Sequence, residues 1–215
     1  MELPDTLLQT YLENHCEPEP AVLQKIAHET YLKVLRPHMI SGHYQGRLLS
    51  FFSKLLQPKL ILEIGTFTGY STICLAEGLA ENGKIDTIEV NPELENLLKS
   101  NFKTAGFEEK IHLYIGEAFD IFPLLLDKIY DIAFIDADKR NNYKYYEFIV
   151  DNIRLGGLII VDNILRKGKI SDTEFQEKDV VLLREFNDKI TADQRVENLI
   201  LPIRDGLMII RKKQL

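Results

Sequence analysis

Residues 59–76 read KLILEIGTFTGYSTICLA. A short apolar run ends in a carboxylate, Glu63, and a glycine, Gly65. A polar turn carries a second glycine, Gly69, and the residues from Gly69 onward read as a helix. Strand, glycine turn and helix in this order form the opening of a parallel βαβ repeat. The segments that follow repeat the unit. KIDTIEV (84–90) reads as a strand ending in Glu89, and NPELENLLKSNFKTAG (91–106) as a helix with Pro92 in its first turn and Gly106 at its end. KIHLYIG (110–116), YDIAFIDA (130–137) and GGLIIVDN (156–163) read as further strands, separated by the helical stretches AFDIFPLLL and YYEFIVDNI. TEFQEKDVVLLREFNDKI (173–190) reads as a last helix. VENLILPIRDGLMIIRKK (196–213) reads as a hairpin, because PIRDG is too short for a crossover helix.

Upstream of Lys59 the pattern is helical. Leu7, Leu8, Tyr11 and Leu12 share a helical face behind Asp5, an N-cap residue. EPEPAVLQKIAHETYLKVL (17–35) opens on prolines and spaces Val22, Ile26, Ala27 and Leu35. YQGRLLSFFSKLL (44–56) runs to a stop at Pro58. The expected fold is α/β: a mostly parallel seven-stranded sheet with a C-terminal antiparallel hairpin strand, helices on both faces and extra N-terminal helices. The 215 residues make one domain, with a helical cap over 1–57 and the sheet core over 58–215.

Apolar residues make up 45% and charged residues 27%, as in a globular chain with a sizeable core. The net charge of −7 supplies no global basic footprint for nucleic acid. The start, MELPDTLLQTYLENHC, lacks the basic and apolar regions of a signal peptide, and no apolar run is long enough for a bilayer. Cys16 and Cys74 have no metal spacing and read as reduced thiols of a cytoplasmic protein.

Glu63, Glu89, Gly116, Asp136 and Asp162 all end strands, which places them on the carboxyl edge of a parallel sheet, where ligands bind in such folds. The turn EIGTFTGYS lacks the G-x-G-x-x-G spacing. Glu63 occupies the position of the first glycine, where a carboxylate repels a pyrophosphate. A carboxylate there suits a cationic amine, and Glu89 suits ribose hydroxyls. S-adenosylmethionine, a nucleoside joined to an amino acid, meets both demands.

LEIGTFTGYS, IEVNP, FIDADK, VDN and RDGL together resemble the small cation-dependent O-methyltransferases, the family of the catechol and caffeoyl-CoA enzymes and their bacterial relatives. The resemblance runs from Met39 to the C-terminus and implies a Rossmann-like class I methyltransferase fold. It implies that Asp136, Asp162 and Asn163 hold a divalent cation, Mg²⁺ first and Mn²⁺ or Ca²⁺ within reach of the same hard oxygen donors. Lys139 becomes the general base. Glu63, Gly65, Tyr70 and Ser71 line the methionine end of the cofactor, and Glu89 takes the ribose. Ala118 approaches the adenine, Met39 and Ser41 close over the cofactor, and Asp138 and Asp136 complete the loop beside it. Ala137 and Phe119 depart from the animal catechol pattern and mark the bacterial and plant branch.

The implied acceptor is a small molecule with vicinal hydroxyls on an aromatic ring. The loop ILRKGKISDTEF (164–175) borders that acceptor, and Arg166, Lys167 and Lys169 make it basic. A second acceptor class is therefore tRNA bearing 5-hydroxyuridine. A non-catalytic binding protein and a metal-independent methyltransferase are the remaining alternatives. By analogy with bacterial relatives, the N-terminal helices are expected to contribute to a homodimer.

Overall fold

The computed structural model describes residues 6–214; Asp5, the expected cap of the first helix, lies outside them. Among the described residues the strands form one seven-stranded sheet in the order Ile111–Ile115, Lys84–Glu89, Leu60–Ile64, Tyr130–Ile135, Ile153–Asp162, Leu207–Lys212, Val196–Leu201. By compactness the described chain falls into two units, residues 6–124 and residues 125–214. No described helix is long and apolar enough to cross a membrane.

The first unit begins with α1 (Thr6–Asn14), α2 (Ala21–Lys33) and α3 (His43–Leu56). The buried stripe of α2 is Leu23, Ile26 and Thr30, with Val22 and Ala27 beside it. Leu35, expected on that stripe, is 90% exposed, because Val34 turns extended and ends the helix before it. Then come β1 (Leu60–Ile64), α4 (Tyr70–Ala76), β2 (Lys84–Glu89), α5 (Glu95–Thr104), β3 (Ile111–Ile115) and the single turn α6 (Ala118–Ile121). β1 pairs with β2 and β2 with β3, all parallel. Ile61, Leu62, Ile64, Ile85 and Ile88 are buried, the continuous apolar pattern of strands covered on both faces. The register sets Glu63 opposite Thr87 and Glu89 opposite Ile115. α3 lies close against α4 because Gly46 has no side chain: a Cβ there would sit 2.7 Å from the Tyr70 ring and 2.9 Å from Cys74 Sγ.

The second unit holds β4 (Tyr130–Ile135), α7 (Asn142–Asp151), β5 (Ile153–Asp162), α8 (Lys178–Ala192), β6 (Val196–Leu201) and β7 (Leu207–Lys212). β4 and β5 are parallel, and Ile135 is level with Val161. β7 lies antiparallel between β5 and β6, as the short PIRDG link requires. Several boundaries move. β5 starts at Ile153 rather than at the glycine pair, and the register with β4 shifts between Tyr130 and Ile132 to admit it. α8 starts at Lys178, because the preceding TEFQE segment is held as a loop.

Candidate functional site

In the first unit the chain leaves β1 at Ile64 and turns through Gly65, at φ 100°, and Gly69, at φ 82°. Gly69 caps α4 in the left-handed conformation, and a Cβ on it would lie 2.6 Å from the Phe102 ring. The turn is held from two sides. Gly65 N–H donates to Ile88 O at 3.0 Å, and Phe67 N–H donates to Glu89 Oε2 at 2.7 Å. Glu89 Oε1 accepts from Asn91 N–H at 2.9 Å, so this carboxylate fixes both its own strand end and the neighbouring turn.

Glu63 is fully buried. Ser71 Oγ donates to its Oε1 at 2.6 Å, and Thr87 Oγ1 to its Oε2 at 2.6 Å, with Thr72 Oγ1 as a further donor. Thr87 also pairs with Thr66 at 2.6 Å, and Thr30 donates to Thr68 at 3.0 Å. These threonines line the turn, and their roles escape sequence reasoning; only the β1–β2 register brings Thr87 to Glu63. Tyr70 is buried and donates its hydroxyl to Glu19. Burial, with Cys74 and Glu19 beside it, raises the phenol, so it stays a donor. Burial likewise pushes the Cys74 thiol up to about 12, which makes it an inert core residue. Ala118 is buried at the start of α6, Ser41 is buried, and Met39 is half exposed in the turn Pro37–Met39.

The second unit gathers the other predicted residues. Asp136 follows β4 and Asp162 ends β5, and the Ile135–Val161 register brings the two strand ends level. Lys139 Nζ lies 3.4 Å from Asp136 Oδ1 and 3.1 Å from Asp162 O, bridging both. Asn163 takes φ 59° and donates its backbone N–H to Asp162 Oδ1 at 2.6 Å. The turn is braced by Ile164 N–H to Gly206 O and Leu165 N–H to Asp205 O, contacts from the RDGL motif. Asp138 is exposed and works locally: it accepts from Asn141 and, at 2.6 Å, from Tyr145 Oη. Tyr145 therefore anchors this loop.

Among the described residues no group of three or more His, Cys, Asp or Glu side chains is arranged to hold a metal. The donor set here is two carboxylates and one amide carbonyl. Hard oxygen donors fit Mg²⁺, Mn²⁺ or Ca²⁺ and not zinc.

The loop beyond Asn163 is less basic than its sequence. Arg166 pairs with Asp179 at 3.3 Å, and Lys169 with Glu177 at 2.5 Å while lying 4.9 Å over the Phe175 ring. Lys167 donates its backbone N–H to Asp205.

The chain matches the family model described as O-methyltransferase over residues 13–213. It is 33% identical over 177 residues to a caffeoyl-CoA O-methyltransferase of Stellaria longipes, covering 78% of this chain and 73% of that one. It is 37% identical over 160 residues to a catechol O-methyltransferase of Niastella koreensis, covering 73% and 72%. The O-methyltransferase from Bacillus cereus, solved in complex with SAH, superposes with a TM-score of 0.89 at 30% identity, covering 97% of this chain and 98% of that one.

Proposed function

The chain belongs to the O-methyltransferase family, and we propose that it moves the methyl group of S-adenosylmethionine onto one hydroxyl of a vicinal diphenol. We read residues 1–215 as a single methyltransferase domain, in keeping with one family model matched over 13–213. The relatives are named for catechol and caffeoyl-CoA, and the Bacillus cereus structure carries SAH.

S-adenosylmethionine supplies a methyl group on a sulfonium centre. The cofactor site is the turn of Gly65 to Ser71 with Glu63 beneath it, Glu89 for the ribose, Ala118 for the adenine, and Met39 and Ser41 from the N-terminal side. The family resemblance assigns Asp136 and Asp138 to cofactor binding as well. Asp136, Asp162 and Asn163 would hold a divalent cation, which would supply Lewis acidity toward the acceptor hydroxyl. Lys139, in its neutral form, takes the hydroxyl proton on Nζ as general base. The turn at Asn163 and the Asp136–Lys139 contact hold these groups in fixed positions, which removes orientational freedom from the transfer.

The observation that carries this reading is Lys139 Nζ bridging Asp136 and the Asp162 carbonyl. The test is transfer of labelled methyl to a 3,4-dihydroxyphenyl acceptor with Mg²⁺ and with excess EDTA. The expected result is metal-dependent labelling that falls about 10²–10⁴-fold in Lys139→Ala, the usual range for loss of a general base. Full activity in EDTA would sink the metal's role. Labelling of hydroxyuridine-containing tRNA alone would move the acceptor to RNA. The pairing of Arg166 with Asp179 and of Lys169 with Glu177 favours the small acceptor. We further propose a homodimer, supported by exposed apolar residues on α1, α2 and α3.

A further inference from the structure

We infer that Arg184, a residue of α8, is the positioning residue of the loop 163–177 and thereby sets which acceptors the enzyme takes. The inference rests on the function proposed above for what the loop borders. The loop leaves β5 directly after Asp162 and Asn163, so its course is tied to the candidate metal turn. Its backbone does not favour its own shape. Asn163, Arg166 and Lys167 take φ of 59°, 48° and 54°, a left-handed conformation that side chains other than glycine seldom adopt. Asp205 and Gly206 hold its first turn, through the N–H groups of Ile164, Leu165 and Lys167, and something else outside the segment must hold residues 169–175.

Arg184 does so through the backbone. Its Nε donates to Ile170 O at 2.9 Å. Its Nη2 donates to Asp172 O at 2.6 Å, to Phe175 O at 2.7 Å and to Lys169 O at 3.3 Å. Asn187, three residues on and so on the same face of α8, donates to Ile164 O at 3.4 Å. The pairs Arg166–Asp179 and Lys169–Glu177 are substantially exposed and hold the loop only weakly. A guanidinium is a rigid planar fork, so one side chain dictates where four carbonyls lie. Lysine, a point donor on a flexible stem, cannot reproduce that pattern. Fixing the backbone of Lys169 and Phe175 sets where their side chains start, and the ammonium lies over a ring that remains 37% exposed. An exposed ring in a set place is an element of selectivity toward a flat acceptor.

The test compares wild type with Arg184→Met, which keeps the aliphatic bulk, and Arg184→Lys, which keeps the charge. Hydrogen exchange over residues 163–177 reads the loop directly. Steady-state kinetics with 3,4-dihydroxybenzoate and with caffeoyl-CoA read the consequence. The expected outcome is faster exchange confined to the loop in both variants. KM for the acceptor rises at least about tenfold, the equivalent of one good hydrogen bond. KM for S-adenosylmethionine holds, and the preference between the two acceptors changes. Unchanged exchange overturns the clamp. A fall of kcat/KM by one common factor for both acceptors overturns the role in selectivity. Lys139→Ala is run alongside: if it stays fully active the proposed function fails, while the exchange result still decides whether Arg184 holds the loop.

Discussion

Glu63 shows how a side chain can be legible in position while its partners are not. Its position, at the end of the first strand and before a glycine turn, is visible in the sequence. What meets its charge is not. Ser71 and Thr72 come from the next helix and Thr87 from the neighbouring strand, and together they donate to both carboxylate oxygens of a residue with no solvent exposure. A buried carboxylate is tolerable only when donors replace water. Removing one donor therefore costs more than an ordinary hydroxyl bond. Thr87→Val keeps the shape and deletes the donor, and it also breaks the contact with Thr66. The expected loss is about 1.5–3 kcal/mol, the range for a hydrogen bond to a charged group. The check is the urea midpoint of unfolding at neutral pH. A midpoint equal to wild type would mean that Ser71 and Thr72 suffice.

At the scale of elements, the alternation of strand and helix was readable because apolar period and glycine punctuation mark each unit. The boundaries were not. TEFQE has helical composition, yet Phe175 within it and Asp172 just before it give their carbonyls to Arg184 instead of to a helix of their own. No local pattern reports a partner twelve residues away. The contact of α3 with α4 was hidden in the same manner. Arg47, Ser50 and Lys54, spaced along one face of α3, all donate to the carboxylate of Glu77 just past α4. Burial raises the Glu77 carboxyl, but the bonds from Arg47, Ser50 and Lys54 outweigh it, and the net shift is downward from 4.5. A carboxyl whose folded pKa lies below its unfolded value adds stability above the unfolded pKa. That stability is lost as pH falls through the folded pKa. Glu77 therefore supports the fold at neutral pH and gives that support up in the window below about 4.5. Glu77→Gln is expected to be less stable than wild type at pH 7 and closer to it at pH 3.5, read as urea midpoints. Parallel loss in both proteins across that window would remove Glu77 from the acid response.

For the whole molecule, the sequence carried the fold class and the motif positions, whereas the partner surface depends on which apolar residues folding leaves outside. The helices α1, α2 and α3 leave Leu7, Tyr11, Tyr31, Leu32, Phe51 and Leu55 exposed. In the sequence these residues look like core, because amphipathic spacing is the same whether a face meets its own sheet or a second chain. The exposed apolar side chains of these three helices are the surface through which the proposed dimer would associate. Each copy carries a net charge of −7, so the copies repel at long range, and apolar burial has to supply the attraction. A symmetric pair places each substituted residue in the interface twice. Leu32→Glu with Phe51→Glu is thus expected to release monomers without disturbing the interior, since both side chains are already in solvent within one chain. Light scattering should give twice the chain mass for wild type and the single mass for the double variant, with unchanged circular dichroism. A wild type of single-chain mass would refute the dimer. A double variant that stays dimeric would move the interface to another face.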